Sequence, residues 1–250
     1  MILALPARAK LNLSLTVTGL RTDGYHEVDT VLQAIDLHDL LEAEPASETA
    51  LEVDGDVPLG ADNLVLRALA ELERASGRPL PTRFRLHKRI PAGAGLGGGS
   101  SDAATALRLA AALHGVDIGV PAAAVGSDVP FFLCGGAARA RGRGVELEPA
   151  TTTAAWFAIA WPGFELSTAA VYARWDQVGG EGANHLTRAA LLTDERLAVF
   201  AEELGEGWQM TGSGSAFFAT AATAPEAELR RRQAPHNAWS VTARAVPRWC

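Results

Sequence analysis

The sequence predicts an α+β fold, in which antiparallel strands and separate helices alternate along a chain of 250 residues. Segments of strand-like and helix-like periodicity interleave from one end to the other. The first two strands are joined by a short turn, so they pair antiparallel, whereas a doubly wound parallel sheet needs long crossover connections. No apolar run reaches the roughly 20 residues that a membrane-spanning helix requires.

Composition argues against several classes of function. The chain is 48% hydrophobic and 20% charged, as globular proteins are. A net charge of −7 argues against broad binding to nucleic acid or to an anionic membrane. The histidines form no metal-binding motif, and Cys134 and Cys250 are too few for a disulfide framework. The N-terminal residues lack the layout of a signal peptide. We therefore expect a cytoplasmic protein that binds neither nucleic acid nor membranes.

The first elements form a predicted hairpin. Residues 9–17 alternate, with leucines and a valine on one face and Lys10, Asn12 and other polar side chains on the opposite face. Asp23 and Gly24 form a turn signal, and residues 26–35 are the predicted return strand.

Helix and strand signals follow up to the middle of the chain. Asp62 is the predicted N-cap of a helix over about 63–75. Residues 83–90 alternate as a strand, and a helix is predicted over about 101–114. Residues 131–133 are apolar and predict a short strand.

The composition changes near residue 150, which predicts two domains, 1–150 and 151–250. The second part begins with an apolar strand and continues with alternating elements. Its predicted strands are 156–161, 208–210, 215–221 and 238–246, and its predicted helices are 168–175, 194–204 and 224–233.

A glycine-rich run, Pro91–Ala104, is the most informative segment. Five glycines fall between positions 93 and 99. Such a loop lets a ligand approach the backbone, and positive φ angles turn successive N–H groups inward. The helix that follows directs its free N–H groups and its dipole at the loop, which predicts an anion site, most plausibly for the phosphates of a nucleotide. A purely structural turn needs only one or two glycines.

Other phosphate-binding motifs explain this run less well. Residues 93–98 match G-x-G-x-x-G, and Asp117 has roughly the offset that a dinucleotide-binding unit requires, but the residues before it resemble a helix end. A P-loop needs lysine then serine or threonine, where Gly99 and Ser100 stand. The strand and loop motifs of protein kinases are absent. A different phosphate-binding loop remains.

Three further features are each open to a structural and a functional interpretation. Lys10 and Asn12 can simply meet water, or the lysine can steady a phosphoryl group. Asp128 can be a turn residue or a catalytic base at the end of an element, kept ionised by Lys10. Tyr25 and His26 can be structural, or they can stack on and hydrogen-bond a flat ligand.

Residues 210–216 form a second glycine-containing loop between apolar strands. By itself this loop is a hairpin turn. Beside the first glycine loop, it could close over phosphates or substrate.

In this order, these motifs resemble the superfamily of galactokinase, homoserine kinase, mevalonate kinase and phosphomevalonate kinase. Its three motifs are matched by Ala7–Leu13, Pro91–Ala104 and Thr211–Ala216. Within it, the chain is most similar to the branch that acts on 4-diphosphocytidyl-2-C-methyl-D-erythritol. The residues carrying this closer resemblance are 9–13, 23–26, 88–101, 127–132 and 212–216. The resemblance spans nearly the whole chain.

The resemblance implies a two-domain kinase with its active site in the interdomain cleft, using ATP and Mg²⁺. Lys10 and Asp128 would be the catalytic pair. Implied ATP-binding residues are Pro91, Ala92, Gly93, Ala94, Gly95, Leu96, Gly97, Gly98, Gly99, Ser100 and Ser101, with Asn63 and Lys88 near the adenine. Implied substrate-binding residues are Asn12, Tyr25, His26, Thr168, Tyr172, Gly212 and Ser213. Of these, Tyr25, His26 and Tyr172 would clamp the cytosine.

Three features of the sequence depart from the pattern of that branch. The stretch from Ser101 to Asp128 is short, Ser127 replaces an alanine, and Ala169 replaces a proline before Tyr172. The alternatives are a related kinase for another alcohol, a catalytically idle nucleotide-binding protein and, last, a dinucleotide-dependent oxidoreductase. The sequence leaves open a monomer or a homodimer.

Asp102 poses a separate electrostatic question. In the first turn of the predicted helix it would stabilise the helix dipole by about 0.3–1 kcal/mol, yet it would repel ATP. Either it points away from the phosphates or Mg²⁺ lies between them.

Overall fold

The structure is a computed structural model that describes residues 1–55, 62–119, 122–152 and 154–250. In this part of the chain the strands form two sheets, and each pairing between named strands is antiparallel except one. The α+β prediction is confirmed. The shortened stretch between Ser101 and Asp128 includes residues 120 and 121, which lie outside the described residues.

The first sheet has six strands, in the order β3-β4-β2-β5-β6, with β1 paired to β2. Its strands are β1 (Leu3–Leu20), β2 (His26–Pro45), β3 (Ala50–Asp54), β4 (Thr82–His87), β5 (Ala137–Gly142) and β6 (Glu146–Ala150). The exception to antiparallel pairing is β3 with β4.

The second sheet has four strands, in the order β10-β7-β9-β8. Its strands are β7 (Trp156–Trp161), β8 (Gln209–Met210), β9 (Phe217–Ala221) and β10 (Trp239–Arg244). The helices of the described residues are α1 (Leu64–Ser76), α2 (Gly98–His114), α3 (Ala122–Val125), α4 (Val129–Cys134), α5 (Thr168–Val178), α6 (Thr187–Thr193), α7 (Glu195–Leu204) and α8 (Ala224–Arg231).

The first hairpin is longer than predicted, and both of its faces are covered. Lys10 and Asn12 are each only 5% exposed, because helices cover one face of the first sheet and the glycine loop and second sheet cover the other. Register shifts between Arg8 and Lys10, and between Asn12 and Ser14, bracket this segment. The two polar side chains therefore lie inside the molecule, where a charge needs partners.

Four local predictions are wrong or incomplete. Asp62 does not cap α1; Asn63 does, accepting a hydrogen bond from the backbone N–H of Val65. Residues 131–133 belong to helix α4, not to a strand, and Pro130 lies in its first turn, where a missing N–H costs little. Helix α2 begins at Gly98, so Asp102 lies in its second turn rather than its first. Strands β3, β5 and β6 and helices α3 and α6 were not predicted.

A buried apolar cluster joins the two sheets and seats the glycine loop between them. Its members are Ala9, Leu11, Ile35, Ile90, Ala94, Leu96, Phe157, Ile159, Ala216, Phe218 and Ala243. The backbone N–H of Lys10 donates to the carbonyl of Leu96, and that of Ala216 donates to the carbonyl of Ala94. The loop is thus bonded both to strand β1 and to the second glycine loop.

The last residues of the chain return to the first sheet. Ala245 bridges to Ile35, and the N–H of Trp249 donates to the carbonyl of Cys134. Cys134 and Cys250, too few for a framework, form one disulfide across a separation of 116 residues. Among the described residues, no helix combines the length and apolar character needed to cross a bilayer.

Candidate active site

Two cavities meet at the glycine loop. The larger has a volume of about 810 Å³ and the smaller about 290 Å³, and both are lined by Gly95 and Gly97. A ligand in one cavity can therefore reach a ligand in the other across these two residues.

The smaller cavity is formed mainly by the glycine loop. Its lining comprises residues 91–99 together with Asp62, Asn63, Leu64, Leu86, Lys88 and Asp102. Gly93, Gly95 and Gly97 have φ angles of 73°, 80° and 75°, a region that favours glycine. Of the predicted ATP-binding residues, Ser100 and Ser101 are not part of the lining.

The glycines also allow close approach. A Cβ on Gly95 would lie 2.6 Å from the carbonyl oxygen of Gly214, and a Cβ on Gly97 would lie 2.8 Å from Cζ of Phe132. Side chains at these positions would separate the two glycine loops or displace helix α4.

Lys88 lines this cavity, but two buried carboxylates hold its ammonium group. Its Nζ donates to Oδ2 of Asp39 at 2.5 Å and to Oδ2 of Asp102 at 2.8 Å. Burial alone would lower the pKa of Lys88, but the two carboxylates outweigh burial and raise it. Asp39 also accepts the backbone N–H groups of Arg89 and Ile90. The cluster Asp39–Lys88–Asp102 therefore fixes the strand that leads into the loop.

Of the two carboxylates beside Lys88, that of Asp102 is the less stabilised in its ionised form. Burial raises its pKa to about 7, against the attraction of Lys88 and with the repulsion of Asp39. Its Oδ1 is buried without a hydrogen-bond partner. Since Lys88 neutralises it, the electrostatic conflict with ATP is reduced without a metal ion.

Among the described residues, the carboxylate of Asp102 beside the glycine loop already has a cation as its partner. The ammonium of Lys88, 2.8 Å from Asp102, opposes a divalent cation at that carboxylate. Across the described ranges there is also no group of three or more histidine, cysteine, aspartate or glutamate side chains arranged to hold a metal.

Lys10 and Asp128 lie together in the larger cavity. The Nζ of Lys10 is 3.7 Å from Oδ2 of Asp128 and donates to Oδ1 of Asn12 at 2.6 Å. Burial lowers the pKa of Lys10, and Asp128 partly offsets this effect. Asp128 precedes helix α4, but its carboxylate does not cap the helix, and its side chain is 33% exposed. That carboxylate is accessible from the cavity.

Asn12 is held in one orientation by a chain of hydrogen bonds. Its Nδ2 donates to Oγ1 of Thr30, whose hydroxyl donates to the carbonyl of Ser14. Its backbone N–H donates to Oγ1 of Thr211 in the second glycine loop. The amide oxygen is therefore directed at Lys10. Sequence reasoning missed Thr30, whose signal is a polar residue at a buried position of the return strand.

The second glycine loop closes one side of this centre. A Cβ on Gly212 would lie 3.3 Å from Oδ1 of Asn12 and 3.4 Å from Nζ of Lys10. Asn184 holds the loop by donating to the carbonyls of Met210 and Gly212. Nothing in the sequence pattern distinguished Asn184.

Ser213, in the same loop, and Thr168, at the start of α5, share a hydroxyl hydrogen bond of 2.9 Å. Both residues line the larger cavity.

Aromatic side chains form another part of the lining of the larger cavity. His26 stacks on Tyr172, with ring centroids 4.6 Å apart and planes 24° apart, and its Nε2 lies 2.7 Å from Oδ1 of Asp176. Burial raises the pKa of Tyr172 to about 12, with a smaller contribution from Asp128. Because the two rings touch, a base cannot lie between His26 and Tyr172 in this arrangement. Tyr25 is 54% exposed at the rim.

Comparison with known proteins gives concordant similarities. Residues 63–136 match the model of the GHMP kinases N terminal domain. A 4-diphosphocytidyl-2-C-methyl-D-erythritol kinase from Moorella thermoacetica is 44% identical over 189 residues, which cover 72% of this chain and 66% of that protein. A kinase of the same name from Chromohalobacter salexigens is 43% identical over 180 residues, which cover 68% of this chain and 59% of that protein. The chain thus matches less than two thirds of the length of these curated relatives.

A solved structure is similar to this chain over nearly the full length of both. A crystal structure of 4-(cytidine 5'-diphospho)-2C-methyl-D-erythritol kinase is 36% identical, with a TM-score of 0.79, covering 97% of this chain and 99% of that one.

Proposed function

Because this chain belongs to the 4-diphosphocytidyl-2-C-methyl-D-erythritol kinase family of the GHMP kinases, we propose that it is an ATP-dependent small-molecule kinase. Its reaction would transfer a phosphoryl group to the 2-hydroxyl of 4-diphosphocytidyl-2-C-methyl-D-erythritol. This step belongs to the non-mevalonate route to isoprenoid precursors. We place the protein in the cytoplasm, as its composition predicts.

One observation carries the proposal. Lys10 and Asp128, 3.7 Å apart, line the larger cavity together with Gly95 and Gly97, the two residues that both cavities share, and Lys10 lies next to Gly97. A nucleotide in the glycine-loop cavity and an alcohol in the larger cavity would bring a phosphoryl group and a hydroxyl to Lys10 and Asp128.

Asp128 and Lys10 would then divide the chemistry. Asp128 would accept the proton of the substrate hydroxyl while the hydroxyl oxygen forms a bond to the γ-phosphorus of ATP. The bond between that phosphorus and the β,γ-bridging oxygen would break, and ADP would leave. Lys10, buried and oriented by Asn12, would stabilise the negative charge of the transferred group. No covalent enzyme intermediate is needed.

ATP would bind in the smaller cavity. The loop Pro91–Gly99 and the first N–H groups of α2 would hold its phosphates, with Asn63 and Lys88 toward the adenine. ATP supplies the transferable phosphoryl group, and Mg²⁺ would arrive as its counter-ion, carried mainly by phosphate oxygens and water.

The cytidine end would lie among Tyr25, His26 and Tyr172, with Thr168 and Ser213 nearer the phosphates. We propose that residues 1–150 form the ATP-binding domain and 151–250 a second domain completing the substrate site. The change of sheet between Ala150 and Trp156 supports this division, and both parts line the larger cavity.

The test is release of ADP from Mg-ATP by the purified protein, followed with a coupled assay. We expect turnover with 4-diphosphocytidyl-2-C-methyl-D-erythritol and none with mevalonate or homoserine. Turnover with another alcohol alone would keep the kinase and refute the substrate. ATP binding without turnover on any of them would favour an idle nucleotide-binding protein.

A further inference from the structure

We propose that Arg143 binds the diphosphate of the cytidine diphosphate substrate. This inference rests on the proposed function and adds a substrate-binding residue to it. Arg143 lies in the turn between β5 and β6, and it lines the larger cavity together with Gly144.

Arg143 differs from the two arginines that precede it on the same strand and turn. Arg139 is paired with Asp29, and Arg141 is paired with Glu148 at 2.8 Å. In the described part of the chain, Arg143 forms no ion pair with a carboxylate. Its guanidinium instead lies over the ring of Tyr25, 3.6 Å from the ring centroid. Its charge also helps to lower the pKa of the nearby Asp23, but among the described residues no hydrogen bond or close ion pair joins Arg143 to that carboxylate, so its N–H groups can donate to an anion.

The charges of the cavity favour a further cation for a bound diphosphate. Its lining includes the carboxylates of Asp128 and Asp176, and the chain carries a net charge of −7. Lys10 is buried and already engaged by Asn12 and Asp128. A diphosphate carries negative charge into this surrounding, so it needs a separate positive partner.

The surroundings of Arg143 fit the order of the groups in the substrate. The reacting hydroxyl belongs at Lys10 and Asp128, and the cytosine belongs at the aromatic end beside Tyr25. The diphosphate joins these two parts of the substrate, and Arg143, stacked on Tyr25, lines the same cavity as Lys10 and Asp128. Stacking on Tyr25 orders the planar guanidinium, while its N–H groups can donate in pairs to phosphate oxygens.

The experiment compares CDP with cytidine, which lacks the phosphates, by calorimetric titration of the full-length protein. Arg143→Ala should weaken CDP binding about 10- to 100-fold, as expected for lost charge-assisted hydrogen bonds, and change cytidine binding less than about threefold. Arg141→Ala is the matched control, because it removes an arginine from the strand that leads into the same turn, and it should leave both affinities within about twofold.

The two proposals can fail separately. If Arg143→Ala weakens CDP and cytidine equally, Arg143 acts only by supporting Tyr25, and the inference is wrong. It is also wrong if neither affinity changes. If the unaltered protein binds ATP but not CDP, the proposed substrate is wrong and the role of Arg143 falls with it. Retention of most CDP affinity in Arg143→Lys would refute the need for a planar, paired donor.

Discussion

At the residue scale, the site depends on placing a charged amine where water is excluded. Lys10 is 5% exposed, and burial lowers its pKa, although Asp128 acts in the opposite direction. Low polarity strengthens its attraction to a negative group, so a buried lysine stabilises transferred charge better than an exposed one. The bond to Asn12 limits its movement.

Asp128→Asn tests the proposed base. Asparagine keeps the size of the side chain but cannot accept a proton as a carboxylate does. We expect kcat to fall by a factor of about 10²–10⁴, with the Kd for ATP unchanged. Asp117→Asn, which alters an exposed carboxylate outside both cavities, is the control. Turnover near that of the unaltered protein would remove Asp128 from this role.

Asp102→Asn tests the buried charge cluster through the pH dependence of stability. Burial raises the pKa of Asp102 from 3.8 to about 7, so across that window the folded protein binds more protons than the unfolded chain. The free energy of unfolding contributed by Asp102 therefore falls as pH rises through the window. Asparagine does not titrate, so its contribution to the free energy of unfolding does not change with pH in this window.

The stability of Asp102→Asn relative to the unaltered protein should accordingly rise from about pH 4 to pH 7 and level off above pH 7. Urea denaturation of both proteins without nucleotide or metal measures it. A difference that stays constant with pH would contradict the raised pKa. In kinetic assays, Asp102→Asn should leave the Mg²⁺ dependence unchanged, because Lys88 is its partner.

At the element scale, the glycine loop and helix α2 act as one unit. Gly97 has φ +75° and is the N-cap of α2, whereas Gly99 lies within the helix. The two glycines are close in sequence, but of the two only Gly97 is so placed that an added Cβ would contact Phe132 and Lys10. They therefore provide a matched pair for asking why the run is so rich in glycine.

Gly97→Ala should destabilise the protein by about 1–3 kcal/mol and weaken ATP binding, because it adds strain and a 2.8 Å contact with Phe132. In Gly99→Ala the new Cβ would make ordinary contact at 3.4 Å with Leu64, so stability should be unchanged or rise by about 0.5–1 kcal/mol. Thermal denaturation and ATP titration measure both effects. Equal results for the two variants would show that the positive φ of Gly97 is unimportant.

At the scale of the whole molecule, the chain end is joined to the helix that follows Asp128. Cys250 is bonded to Cys134 at the end of α4, and the ring of Trp249 lies against Gly135. In a reducing compartment the two cysteines would be thiols, and the packing of residues 245–250 would have to hold alone.

Reduction should lower the free energy of unfolding by about 2–4 kcal/mol, because the bond closes a long loop and restricts the unfolded chain. Denaturation with and without dithiothreitol measures this difference. Cys250→Ser should match the reduced protein and show no response to dithiothreitol. Identical curves for the oxidised and reduced forms would mean that the bond does not stabilise the fold.

Local signals determined a large part of this protein. The alternation of residues 9–17, the Asp23-Gly24 turn and strand 156–161 each depend on neighbours in the chain, and the structure confirms these elements. The α+β class followed from them. The glycine run was recognisable because several adjacent residues share one unusual property. Its role in holding ATP stays a proposal, as do the roles of Lys10 and Asp128.

Tertiary structure alone decided the partners of the buried polar groups. Asp39 and Lys88 are 49 residues apart, Asn12 and Thr211 are 199 apart, and no local pattern relates either pair. Residues 131–133 illustrate the same limit, since a short apolar run can be a strand or a helix until its surroundings are known. Periodicity reports which face of an element is apolar, whereas a buried charge is stabilised only by groups that folding brings to it.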